Sequence, residues 1–138
     1  MALIEVQIEI NAPIGKVWDV VSDIDNEPKF WKGTKEVRNI SKEENTVQRE
    51  ITIAFRDQKC LQEVKIYPKE KIEAKFTKGI IDGKKIVSLT PKDEKTILST
   101  YWDIKLTGMM GMFTGMIKKH IKSGTEQAMQ SIKEEIER

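Results

Sequence analysis

The side chains that most often carry out chemistry in proteins are scarce in this chain, which contains one histidine, His120, and one cysteine, Cys60. A nucleophile–histidine pair would have to be built around His120, and nothing in its spacing from Cys60 supports such a pair. One histidine and one cysteine are also too few for a zinc site. We therefore predict no metal and no cofactor. The catalytic residues stay unassigned, and acid–base chemistry by Arg49, Tyr101 or a carboxylate remains open.

Two polar side chains, Arg49 and Gln62, fall by alternation on strand faces that otherwise consist of Val, Ile, Cys and Phe residues. A charge buried without a partner is costly, so Arg49 either reaches solvent at a rim or meets a carboxylate of the protein or of a ligand. Small-molecule sites are mostly apolar and contain a few hydrogen-bonding groups. Arg49 and Gln62 are therefore candidate polar residues of such a site, where an anionic or carbonyl-bearing head group would meet Arg49.

The stretch GMMGMFTGMIKKH, residues 108–120, contains four of the six methionines and three of the eight glycines. Its apolar run ends after ten residues at Lys118, whereas a membrane-spanning helix needs about 20. Three alternatives stay open: ordinary core, an adaptable cavity mouth, or transient docking of the methionines and nearby lysines on anionic lipid. His120 follows Phe113 around the helix by only about 20°, so it is either a cavity residue or a partly buried structural histidine.

Hydrophobic periodicity predicts the elements that must position these residues. Residues 3–11 alternate strictly and predict a half-buried strand, after which Pro13 starts a short amphipathic helix. Residues 34–107 contain alternating segments, one of which has an inward face running from Val47 to Phe55. Their short polar links are typical of an antiparallel meander. An apolar stripe from Phe113 to Ile136 predicts a helix over residues 110–137, about 40 Å long.

Composition excludes several classes of protein. The 24 basic and 22 acidic residues give a formal net charge of +2 and are mixed along the chain. Nucleic-acid binding is not expected, because phosphate backbones require a concentrated basic surface. The N-terminus lacks the pattern of a signal peptide, and a lone cysteine fits a reducing compartment. We predict one cytoplasmic domain over residues 1–138 without stable membrane insertion, and the sequence predicts no oligomeric state.

The order of elements is a strand, two short helices, about six strands and a long C-terminal helix. Two stretches carry a more specific pattern: IEINAPIGKVWDVVSDIDNEPKFW and TKGIIDGKKIVSLTPKDEKTILSTYWDIKL. Together with the glycine–methionine start of the last helix, they resemble the helix-grip superfamily of START and birch-pollen-allergen-like proteins. Within this superfamily, they look most like the polyketide cyclase and coenzyme-Q-binding branch. The resemblance implies an α+β helix-grip fold, with a curved antiparallel sheet of six to seven strands wrapped around the C-terminal helix.

The same resemblance implies an internal cavity between sheet and helix, and the first functional hypothesis is binding or transport of a hydrophobic small molecule. A lipid, an isoprenoid quinone or a polyketide-like compound would fit. A cyclase or dehydratase using the same cavity and a protein-interaction module without a ligand are the alternatives. The predicted ligand-binding residues are Arg49, Ile51, Phe55, Gln62, Val64, Phe76, Trp102, Met109, Met112, Phe113, Met116, Ile117 and His120.

Overall fold

One seven-stranded antiparallel sheet and one long helix dominate the computed structural model, which describes residues 2–138. Each strand from the second to the sixth pairs with the next one along the chain, and the first strand pairs with the seventh, which gives the order β1-β7-β6-β5-β4-β3-β2. The strands are β1 (Ala2–Ile10), β2 (Thr34–Glu43), β3 (Thr46–Ile53), β4 (Lys59–Tyr67), β5 (Lys71–Lys78), β6 (Ile81–Lys92) and β7 (Lys95–Leu106).

The described residues also form three α-helices: α1 (Ile14–Val21), α2 (Glu27–Phe30) and α3 (Thr114–Glu137). Pro13 precedes α1 with a φ of −69°, which is the value its ring imposes and which suits the start of a helix. Short 3₁₀ turns at Ile24–Asn26, Phe55–Asp57 and Gly108–Phe113 connect the elements. The predicted helix-grip fold is confirmed, with a curved sheet, two short helices after β1 and a long C-terminal helix.

Two boundaries differ from the sequence-based expectation. The strand predicted to run to Phe55 ends at Ile53, because the backbone of Ala54 is already helical (φ −64°, ψ −29°) and leads into a 3₁₀ turn. The helix predicted to start near residue 110 begins as the 3₁₀ turn Gly108–Phe113 and becomes α-helical at Thr114. Gly108 adopts a φ of 58°, a left-handed conformation that glycine accepts without strain and that redirects the chain after β7.

Helix α3 packs unevenly along its length. Ala128, Met129, Ile132 and Ile136, in its C-terminal half, are buried in one cluster with residues of β1, β6, β7 and α1. In the N-terminal half, Ile117 and Ile121 are only partly buried against a second cluster on the inner face of the sheet. The two halves of α3 therefore pack differently: the C-terminal half completes the hydrophobic core, and the N-terminal half leaves space between itself and the sheet.

Gly83 offers a test of the close pairing between β6 and β7. Its φ is 127°, and a Cβ at this position would overlap the carbonyl oxygen of Asp103 in the neighbouring strand. We expect Gly83→Ala to lower the free energy of unfolding by at least 2 kcal/mol, because both the strained backbone and the overlap must be relieved.

Urea unfolding followed by circular dichroism would measure the change. Gly15→Ala is the matched control, because Gly15 lies in α1 with open space around its Cβ position and alanine favours a helix over glycine by up to about 1 kcal/mol. Equal stabilities of Gly83→Ala and the unmodified protein would show that the strands pair less closely than described.

Candidate functional site

A cavity of about 400 Å³ lies between the inner face of the sheet and the N-terminal half of α3. Most of its wall is apolar and comes from strands β3 to β7 and from α3, with a smaller contribution from α2 and the start of β2. The apolar side chains in the wall are those of Trp31, Ile51, Ile53, Ala54, Phe55, Phe76, Ile81, Trp102, Leu106, Phe113, Met116, Ile117 and Ile121.

The opening of the cavity is marked by residues that line it and are also exposed to solvent. On the sheet side these are Gly33 and Ala54, and on the α3 side they are Phe113, Met116 and His120. Phe113 is 39% exposed and Met116 is 56% exposed, which is high for large apolar side chains. The end of the 3₁₀ turn and the start of α3 therefore form an apolar rim beside the opening.

The closed end of the cavity contains a buried arginine with three hydrogen bonds. The Nη2 atom of Arg49 donates to the Glu27 carboxylate at 2.7 Å, Nε donates to Oε1 of Gln62 at 2.9 Å, and Nη1 donates to the Ile24 carbonyl at 3.3 Å. Arg49 is only 2% exposed. Of the two alternatives for this residue, the structure shows the buried one, and the carboxylate that Arg49 meets belongs to the protein.

Lys85 of β6 is the second buried cation in the cavity wall. Its Nζ lies 3.2 Å from the ring centroid of Trp31 and 5.1 Å from that of Trp102. Burial lowers the pKa of Lys85 to about 8; the Glu27 carboxylate opposes this effect and the Arg49 guanidinium adds to it. The two indole rings favour the charged ammonium through cation–π attraction, so Lys85 carries its charge at neutral pH.

The aromatic part of the wall is held in place by specific contacts. The Nε1 atom of Trp102 donates to the Thr125 hydroxyl on α3 at 3.0 Å, and that hydroxyl donates to the Ile121 carbonyl at 2.7 Å. The Trp102 ring stacks on Phe76 at a centroid distance of 6.5 Å and meets the edge of Trp31 at 6.4 Å. Trp102 therefore ties the sheet to α3 at the level of Lys85, and the rings around the lysine are fixed before any ligand arrives.

Ten of the thirteen residues predicted to bind a ligand line this cavity, namely Arg49, Ile51, Phe55, Gln62, Phe76, Trp102, Phe113, Met116, Ile117 and His120. Val64, Met109 and Met112 do not. Val64 is fully buried in a cluster with Val47 and Ile24, beyond the closed end of the cavity. Met109 and Met112 are 90% and 80% exposed. In a 3₁₀ turn, residues three apart lie on the same side, so both methionines face solvent together.

Three residues of the closed end were not predicted to be in the site: Glu27, Trp31 and Lys85. A signal for Lys85 was present in the sequence, since it alternates with Val87 and Leu89 on the inner face of β6. No such signal marks Glu27, which follows a short polar connection and meets Arg49 only because the tertiary fold brings the start of α2 close to the middle of β3.

The described residues contain neither a group of metal ligands nor a helix that could span a membrane. Among residues 2–138, no three His, Cys, Asp or Glu side chains are grouped so that they could hold a metal ion. Within the same residues, none of the helices combines the length and apolar character that crossing a bilayer requires.

Comparisons with known proteins agree on the fold. A family model described as polyketide cyclase / dehydrase and lipid transport matches residues 1–137. A protein from Thermus thermophilus superposes with a TM-score of 0.83 at 14% identity, covering 97% of this chain and 96% of that chain. The Zhui aromatase/cyclase from a Streptomyces species gives a TM-score of 0.80 at 14% identity, with 99% and 93% covered.

A START superfamily protein from Mycobacterium smegmatis gives a TM-score of 0.76 at 17% identity, covering 98% of this chain and 97% of that chain. At such low identities, these likenesses establish the fold alone. No protein of curated function matches this chain in a sequence search.

The Arg49–Glu27 ion pair predicts that replacing the carboxylate by an amide strongly destabilises the protein. Glu27→Gln removes the negative charge that compensates the buried guanidinium and also favours the ammonium of Lys85. We expect the free energy of unfolding to fall by about 3 kcal/mol, because an uncompensated charge stays buried. Asp25→Asn is the control, since Asp25 is exposed and bonds only to the Asn39 amide. If both variants unfold at the same denaturant concentration, Arg49 does not depend on Glu27.

The buried ammonium predicts that Lys85→Met stabilises the protein. Lowering the pKa from 10.5 to about 8 corresponds to a cost of about 3 kcal/mol for the charged form, part of which cation–π attraction offsets. We therefore expect Lys85→Met to raise the free energy of unfolding by about 1–3 kcal/mol at pH 7.

The gain should shrink as pH rises from about 8 to 10.5. In that window the native protein has released the Lys85 proton while the unfolded chain still binds it, so the stability of the unmodified protein increases with pH. Denaturant unfolding at several pH values would measure this, with Lys84→Met, at an exposed neighbouring position, as the control. A gain that does not vary with pH would contradict a buried ammonium.

Proposed function

This chain belongs to the polyketide cyclase / dehydrase and lipid transport family, and on that basis we propose that it binds and carries a hydrophobic small molecule. The observation that carries the proposal is the open, apolar cavity of about 400 Å³ between the sheet and α3. Ligand pockets for small molecules are typically about 300–1,000 Å³ and mostly apolar, with a few polar groups. A lipid, an isoprenoid quinone or a polyketide-like compound is the class of ligand that suits this wall.

The packing of the protein supports a cavity that holds an apolar ligand. Protein interiors are ordinarily packed as densely as organic crystals, and empty volume lowers stability. Larger apolar side chains on α3 would remove the cavity, yet glycine occupies position 124, where a Cβ would meet no other atom within 4 Å. Gly124 lines the cavity, and its small size maintains a space that an apolar ligand would occupy.

The exposed apolar rim supports ligand exchange. Phe113 and Met116 line the opening and are exposed, and Met109 and Met112 are exposed on the adjoining 3₁₀ turn. Methionine side chains are flexible and adapt to apolar surfaces of different shape. An apolar ligand that enters or leaves between the rim and the sheet would be in contact with apolar side chains throughout, so that little of its surface would have to face water.

A cyclase or dehydratase activity in the same cavity is a second candidate, and one observation favours it. The Lys85 amine has a pKa of about 8, close enough to neutrality for an acid–base group, and it lies in the cavity wall. Under this alternative, Lys85→Met would abolish turnover of a polyketide substrate while leaving its binding measurable. Unchanged turnover in Lys85→Met would remove the observation on which this candidate rests.

Filling the cavity tests the binding proposal. We expect Gly124→Leu to weaken binding of apolar ligands at least tenfold, because the new side chain occupies the ligand's space, while the helix itself gains from losing a glycine. Ser123→Leu is the matched control, since it adds the same side chain at the exposed neighbouring position.

Native mass spectrometry of gently purified protein, together with thermal shift against a panel of lipids and quinones, would measure the effect. The unmodified protein and Ser123→Leu should retain a co-purifying apolar ligand or respond to the panel, and Gly124→Leu should do neither. Unmodified protein that is consistently free of ligand and does not respond to the panel would overturn the proposed function.

A further inference from the structure

The charged side chains that face the cavity do not balance one another. Four titratable groups line it, one from each of four elements: Glu27 of α2, Arg49 of β3, Lys85 of β6 and His120 of α3. Glu27 and Arg49 form an ion pair at 2.7 Å, and His120 lies at the exposed opening. Two cations and one carboxylate leave one positive charge without a compensating negative charge inside the cavity.

Lys85 carries that unmatched charge. Three nitrogens of Arg49 are engaged by Glu27, Gln62 and Ile24, whereas the close contacts of the Lys85 ammonium are the rings of Trp31 and Trp102. Among residues 2–138, no carboxylate oxygen lies within ion-pairing distance of Lys85. A buried ammonium that contacts aromatic faces and has no carboxylate at ion-pairing distance is costly, and burial lowers its pKa although the Glu27 carboxylate opposes this effect.

Resting on the proposed ligand cavity, we propose that the bound molecule is an amphipathic acid whose carboxylate, or an equivalent anionic head group, pairs with Lys85. The ligand would supply the negative charge that the protein lacks at this point. Two charges attract each other more strongly out of contact with water than at the surface, and the cost of burying the ammonium is already present in the free protein. An unpaired cation that lowers the stability of the free protein would thereby increase affinity and selectivity for an acid.

The geometry also gives the ligand a direction. Lys85, Trp31 and Arg49 are buried at the closed end, whereas Phe113 and Met116 are exposed at the opening. The acid therefore enters head first and its apolar chain runs along the intervening apolar wall toward the rim. Around the head group, the fixed rings of Trp31 and Trp102 exclude water, which keeps the charge pair strong.

The affinity for an acid depends on pH in a defined direction. Below about pH 8 the Lys85 amine of the free protein is charged, and an ionised ligand pairs with it without any proton uptake by the amine. Above that pH, binding must first return a proton to the amine, so the dissociation constant should rise by up to about tenfold per pH unit. The other charged or titratable groups that line the cavity are Glu27 and Arg49, which pair with each other, and His120, which lies at the exposed opening. A neutral ligand should show no such dependence.

Two ligands of matched chain length test the inference. Binding of dodecanoic acid and of dodecanol would be measured by calorimetry at pH 7 and pH 9.5, below the concentration at which either aggregates. The proteins would be the unmodified chain, Lys85→Met and Lys85→Gln, with Lys84→Met as the control on the exposed face of the same strand. Circular dichroism would verify that each variant is folded.

We expect the unmodified protein and Lys84→Met to prefer the acid at least tenfold at pH 7 and to lose that preference at pH 9.5. Both Lys85 variants should bind the alcohol at least as well as the acid at either pH. Equal binding of acid and alcohol by the unmodified protein, or a preference that survives in the Lys85 variants, would overturn the inference and leave the proposed cavity function standing. If the unmodified protein binds neither ligand and is free of ligand when purified, both proposals are overturned.

Discussion

The packing of α3 against the sheet is close along only half of the helix, and the cavity and its opening depend on that constraint. Its C-terminal half carries Ala128, Met129, Ile132 and Ile136, which are buried against strands at one end of the sheet. Its N-terminal half carries Gly124 and partly buried isoleucines above an apolar wall. Because α3 is one continuous, rigid helix, its tightly packed C-terminal half holds its N-terminal half at a distance from the sheet. The cavity can therefore persist without a ligand.

The closed end of the cavity combines charges that stabilise the fold with one that does not. The Arg49–Glu27 pair connects β3 to α2 and satisfies a guanidinium that is almost completely buried. Among residues 2–138, Lys85 has no carboxylate at ion-pairing distance, and its ammonium lies beside the indole rings of Trp31 and Trp102. Functional sites are where proteins retain groups that lower stability. Both cations are buried in the same cavity wall, and only the charge of Arg49 is compensated at contact distance by a carboxylate of the described residues.

The fold and the family leave several functions open, and the cavity wall contains the features on which both proposed functions depend. Similar structures include an aromatase/cyclase and a START superfamily protein, and one fold commonly supports unrelated chemistries. Binding an apolar molecule requires only volume and an apolar wall, both of which are present. Catalysis would require a positioned acid or base in addition, and Lys85 is the group whose pKa and placement make it a candidate. Binding is therefore common to both proposals, and chemistry is the further requirement of one.

The sequence by itself determined the elements and the faces of most residues. Alternation placed Arg49 and Gln62 on inner faces of the sheet, and the long apolar stripe predicted α3, because backbone geometry fixes the side-chain period within each element. Only the tertiary structure decided that Glu27 meets Arg49, since a period within one element says nothing about which distant segment packs over it. It also decided that Met109 and Met112 face solvent, because the chain forms a 3₁₀ turn there, in which residues three apart lie on the same side.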